Sequence, residues 1–168
     1  MSFREEILAA DPTLDVREVG VSLPALVALG ERKGMFDTAF WGKLRLPEGS
    51  VTQQMERFLQ LTMPDWSKGA VCFHEGGKCG RVLRRDSAER SYSVLSVGDY
   101  PAKPQLLGIY RALWDIGIRQ HYGIIDSQKP NAVAFRAQVA APGITSTVEA
   151  NPRNPQEDIV TLYFPERP

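Results

Sequence analysis

Three strand-like runs follow one another with almost nothing between them: AVCFHE from Ala70, KCGRVLRR from Lys78, and RSYSVLSV ending at Val97. Runs this short, joined by turns this tight, predict antiparallel pairing of each with the next. The first turn is read from Gly76-Gly77, since glycine reaches the positive φ of a two-residue hairpin without steric cost. That register sets Glu75 opposite Lys78, His74 opposite Cys79 and Cys72 opposite Arg81, which puts Cys72, His74 and Cys79 on one side of the ribbon. Three soft ligands fall short of a structural zinc site, which takes four, and no C-x-x-C or H-x-x-x-H partner exists elsewhere in the chain. The expectation is a half-buried hairpin face with two free thiols, no metal and no disulfide. In this register the two cysteines are diagonal neighbours about 7 to 8 Å apart.

Helical signals flank these strands. Ser2 with Glu5 is a capping box opening a helix to about Ala10, where Asp11-Pro12 stops it. Asp15 to Val21 alternates as a strand would. Pro24 is read as the start of a second helix, and Ser50 with Gln53 caps a third, with Val51, Met55, Phe58 and Leu59 on one face and Pro64 at its end. After GDYPAKP comes QLLGIYRALWDIGIRQHYG, where Leu106, Leu107, Tyr110, Leu113, Trp114, Gly117 and Ile118 recur at helical spacing. On its other face Arg111, Asp115 and Arg119, four apart, are expected to form exposed ion pairs. Gly108 is expected in the first turn, where free N–H groups favour an anion such as phosphate. The fold class is α+β, with a mixed, mostly antiparallel sheet flanked by helices, in a single domain over residues 1–168.

Charge restricts the partners. Lys plus Arg and Asp plus Glu number 20 each, so there is no net field to draw the chain to nucleic acid or to an anionic membrane. The N-terminal residues SFREEILAADP lack the basic-then-apolar order of a signal peptide, and a cytoplasmic location is expected.

In order, the elements from about Gly69 to Phe164 resemble the second half of the GNAT superfamily, the acyl-CoA-dependent N-acyltransferases. The hairpin FHEGGKCG and the strand-and-loop SVLSVGDYP come first, then Gln105-Leu-Leu-Gly108-Ile-Tyr110 in place of the family's [Arg/Gln]-x-x-Gly-x-[Gly/Ala]. YGIID, Asn131-Ala-Val-Ala134, Pro142-Gly143-Ile144 and the closing runs STVEA and DIVTLYF complete the series. The resemblance implies acetyl-CoA or another acyl-CoA as donor, and a small-molecule or protein amine as acceptor. The donor would lie in the cleft where the SYSVLSV strand splays from YGIID, its pyrophosphate on the amides of Leu106, Leu107 and Gly108, beside Gln105, with the acyl carbonyl near Val97 and Asn131 in the cofactor set. Tyr110 stands where the family has a small residue that lets the pyrophosphate approach. Gln138 stands where the family commonly has a tyrosine acid, and three extra residues lie between Val97 and Gln105. Asp99, His74 and His121 are the candidates for a base.

Two other readings come from the residues. One is a non-catalytic module that binds a protein partner, such as an immunity, anti-defence or phage-associated protein, with Trp41, Trp66 and the NPRNPQED segment from Asn151 as contacts. The other is a cysteine hydrolase using Cys72, His121 and Asp126, which lacks any signature around the thiol.

Overall fold

The capping box at Ser2 forms as the sequence predicts. The Glu5 amide donates to Ser2 Oγ at 3.2 Å, the Ser2 amide donates to Glu5 Oε2 at 2.6 Å, and α1 runs Phe3–Ala10. The computed structural model describes residues 1–36, 49–62, 69–99, 101–126 and 140–168. After α1 the expected strand is cut to the two residues Val16–Arg17 (β1), and a helix, α2, takes over from Val19 to Arg32. Pro24 therefore lies inside α2 rather than at its start. The helix tolerates the missing donor because Val19, Leu23, Leu26, Val27 and Gly30 form one buried stripe at helical spacing, which outweighs one lost hydrogen bond. Helix α3, Val51–Thr62, starts at the expected box, with the Gln53 amide on Ser50 Oγ and the Ser50 amide on Gln53 Oε1. Met55 and Leu59 are fully buried, while Pro64 lies outside the described residues.

The meander is present as β2 Ala70–Glu75, β3 Cys79–Ser87 and β4 Arg90–Gly98. Helix α4, Lys103–Asp115, follows, then β5 Gln120–Asp126, β6 Thr145–Asn151 and β7 Asn154–Tyr163. The seven strands of the described residues form one sheet in the order β1-β2-β3-β4-β5-β7-β6. Every neighbouring pair is antiparallel except β4 with β5. Strand alternation divides the interior into two cores. Val71, Phe73, Leu83, Val160 and Leu162 pack against α1 and α4 on one face, and Cys72, Val82 and Val97 pack against α2 and α3 on the other.

The first hairpin is tighter in conformation but longer by one residue than the sequence suggests. Gly76 (φ 50°) and Gly77 (φ 71°) make the expected left-handed turn, closed by the Lys78 amide on the Glu75 carbonyl at 2.8 Å. The Lys78 carbonyl, however, accepts the Asp99 amide at the end of β4 (2.9 Å), so Lys78 drops out of the β2–β3 ladder. The register becomes Glu75 opposite Cys79, His74 opposite Gly80, Phe73 opposite Arg81 and Cys72 opposite Val82. A shift of one residue moves a side chain to the other face. Cys79 now shares its face with Glu75 and Arg81, while Cys72 and His74 face α2. The three soft ligands do not converge.

Candidate functional site

The sheet opens at its one parallel junction. β4 and β5 pair through Arg90 with Gln120, Ser91 with His121 and Tyr92 with Tyr122, and no further. Beyond those three rungs β4 stays with β3 as far as Gly98, and β5 stays with β7 as far as Asp126. The divergence begins at an irregularity in β4. Val82 pairs with Leu95 but Leu83 with Ser93, which leaves Val94 as an extra residue that bends the strand. The slot lies at the carboxyl ends of two parallel strands, with the N-terminus of α4 just after it, a place where open α/β sheets commonly bind ligands. Among the described residues, backbone groups of β4 on that side have no strand partner, so they are available to hydrogen-bond an extended molecule lying in the slot.

At the closed end of the slot His121 clamps the two strands. Its Nδ1 lies 2.8 Å from Ser91 Oγ and its Nε2 lies 2.9 Å from Ser93 Oγ. Burial drives its pKa down to about 3, and the nearby Arg81 guanidinium pushes the same way. His121 is thus a neutral structural link. His74 is similar on the opposite face: Ser22 Oγ donates to the Glu18 carbonyl (3.0 Å), so at 2.9 Å it accepts from His74 Nε2, and burial lowers the imidazole pKa. Asp99, the third candidate base, is half exposed and ion-paired with Lys33. Cys72 and His121 lie on opposite faces of the sheet, so the cysteine-hydrolase reading fails. Burial also raises the Cys72 thiol to about 12, leaving no thiolate at neutral pH.

The start of α4 departs from expectation. The helix begins at Lys103 with Ala102 as its cap, so Gly108 is its sixth residue and lies in the second turn. The amides of Gln105 and Leu106 both donate to the Ala102 carbonyl, at 3.0 and 3.1 Å. Leu107 and Gly108 follow as interior helical residues. Pro104 has no N–H, and the Ala102 amide donates to Glu75 Oε2 at 3.2 Å. A carboxylate of the protein itself thus occupies the positive end of this helix. What remains for an incoming anion is the Lys103 amide and its ammonium, which reaches the Ala140 carbonyl. The Gln105 side chain is tied to β2, its Nε2 donating to the His74 carbonyl at 3.1 Å. Tyr110 does not line the helix start at all. It is fully buried, its ring 5.4 Å from that of Phe164 and 5.9 Å from that of His121. Val97 is buried against α2 and α3. Asn131, Ala134 and Gln138 lie outside the described residues, as do Trp41 and Trp66.

Two further expectations change. Asp115 pairs with Arg167 (2.9 and 3.0 Å) and not with its helical neighbours, while Arg119 lies beyond the helix and stacks on Trp114 at 4.3 Å. The segment from Asn151 is a tight hairpin turn, with the Arg153 amide on Asn151 Oδ1 at 3.0 Å and β7 beginning at Asn154, and not a loop. Among the described residues no cluster of His, Cys, Asp and Glu has metal-binding geometry, and no helix is long and apolar enough to cross a membrane.

This architecture, a mixed seven-stranded sheet opened between its parallel strands with helices on both faces, is the GNAT acetyltransferase fold. A probable GNAT-family acetyltransferase from Chromobacterium violaceum is similar with a TM-score of 0.56, at 13% identity over 90% of this chain and 81% of that one. A probable acetyltransferase from Staphylococcus epidermidis gives a TM-score of 0.53, at 11% identity over 92% of this chain and 100% of that one. A spermidine N-acetyltransferase chimera from Vibrio cholerae gives 0.52, at 12% identity over 90% and 93% of the two chains. No family model and no curated protein sequence matches the chain.

Proposed function

We propose that the chain transfers an acyl group from an acyl thioester, with acetyl-CoA or another acyl-CoA as donor, to an amine on a small molecule or a protein. The observation that carries this reading is the parting of β4 from β5 after Tyr92 and Tyr122, with Val94 bulged at the fork. A pantetheine arm is an extended chain of amides that fits such a slot as a strand would. A β4 amide without a strand partner can meet the thioester oxygen and hold the charge that develops there. With both histidines neutral and Asp99 ion-paired, none of these three candidates stands ready as a base. The amine therefore reacts as the free base, and positioning supplies most of the acceleration.

The start of α4 fits the donor's pyrophosphate less well, since among the described residues there Lys103 alone offers an amide and a cation to it. An exposed contact of this kind contributes about 1 kcal/mol, so S-acetyl-pantetheine is expected to bind within about tenfold of acetyl-CoA. Thermal unfolding with each compound at millimolar concentration tests both points. A rise in Tm with both supports the reading, and no shift with either would overturn it.

A further inference from the structure

Beside the closed end of the slot, on the α4 face of the sheet, lies a buried cation with no counter-charge paired to it among the described residues. Arg81 on β3 is 5% exposed. Its Nη2 has a long contact to Ser93 Oγ, at 3.5 Å, and its Nη1 is buried without a well-formed hydrogen-bond partner. The fully buried Tyr110 hydroxyl lies against the guanidinium, close enough to interact with it by charge and by a weak hydrogen bond, and has no well-formed partner. Ser93 joins this cluster to the slot, since it also bonds His121 at the last rungs between β4 and β5. The acidic side chain nearest in the ladder on this face, Glu75, is turned instead to the Ala102 amide and the Cys79 thiol.

A guanidinium stays charged at any accessible pH, and burying it uncompensated costs several kcal/mol. Water can satisfy its hydrogen bonds but not its charge. A dianion would leave a net negative charge in the same buried place. A single carboxylate balances the charge, and its two oxygens match the guanidinium fork and a phenol hydroxyl.

We propose that Arg81 and Tyr110 bind a small carboxylate beside the slot between β4 and β5. The carboxylate is either a free small acid or the far end of a dicarboxylic acyl group carried by the thioester. The second source rests on the acyl-transfer reading; the site itself does not.

Thermal unfolding of the native chain in sodium acetate, in sodium chloride of equal ionic strength, with acetyl-CoA and with succinyl-CoA separates these cases. Acetate at tenfold excess over Kd is expected to raise Tm by about 3 to 6 °C above the chloride control. Arg81→Met should lose that rise. Tyr110→Phe, which removes one oxygen and keeps the packing, should weaken it and serves as the test if Arg81→Met does not fold. A larger shift with succinyl-CoA than with acetyl-CoA, lost in the same variants, assigns the carboxylate to the acyl group; equal shifts assign it to a free acid. An acetate effect no greater than that of chloride, together with no preference for succinyl-CoA, would overturn the site and leave acyl transfer standing. An acetate effect with no response to either thioester would do the reverse.

Discussion

His121 is a titratable group fixed in its neutral form, and that has a measurable cost in acid. Its folded pKa is pushed to about 3 from an ordinary 6.5, first by burial and then by Arg81. Below pH 6.5 the unfolded chain therefore takes up a proton that the folded chain refuses, and stability falls as the pH falls. The slope from this residue is about 1.4 kcal/mol per pH unit down to about pH 4. The lowered pKa of His74 acts in the same direction. Urea midpoints followed from pH 7 to pH 4 check this, and His121→Gln should flatten part of the slope. A midpoint that stays constant over the range would show that the imidazole titrates normally in the folded state. Nothing in the sequence around His121 marks this role. Its partners Ser91 and Ser93 are thirty and twenty-eight residues away, brought beside it only by the parallel pairing of β4 with β5.

The end of β4 is held in place by a single glycine. Gly98 has φ 94°, and a Cβ there would sit 2.3 Å from the Lys78 carbonyl oxygen. Gly98→Ala combines backbone strain with a clash against backbone that cannot swing away, and is expected to cost at least about 2 kcal/mol. Gly76→Ala meets open space at its turn and should cost about 1 kcal/mol. Chemical denaturation of the two variants side by side measures the difference, and equal losses would place the constraint elsewhere. The same contact explains what the sequence leaves illegible. Helices α1 and α3 are readable because each is announced by a local box of four residues, Ser2 to Glu5 and Ser50 to Gln53. The β2–β3 register is not, because a bond from Asp99, twenty-one residues later than Lys78, decides it. The start of α4 is likewise set from a distance, by Glu75 holding the Ala102 amide, and α2 is helical from Val19 because tertiary burial overrides Pro24.

At the scale of the whole molecule, the order of elements from the hairpin to the last strand was legible as a series, and so was the kind of fold. The parting of the SYSVLSV strand from YGIID was legible too, but only through the resemblance; the irregularity at Val94 where it begins carries no local signal. Two apolar cores share one sheet, so each is expected to melt with the other. Leu83→Ala in the first and Met55→Ala in the second should each lower one common calorimetric transition, with losses of about 2 to 5 kcal/mol. Two separable transitions would show that the faces unfold independently. The parallel seam of three rungs gives the molecule a soft direction. A sheet joined so briefly across its middle yields there before it yields elsewhere, like a plate scored along one line. Twisting β5, β6 and β7 against β1 to β4 loads the bonds around Ser91, Tyr92, His121 and Tyr122, and with them the first core, where α4 packs against strands from both sides of the seam. Widening the slot to admit a guest therefore works against one short line of hydrogen bonds on the sheet and against the α4 core that bridges it, which sets how far the seam can open.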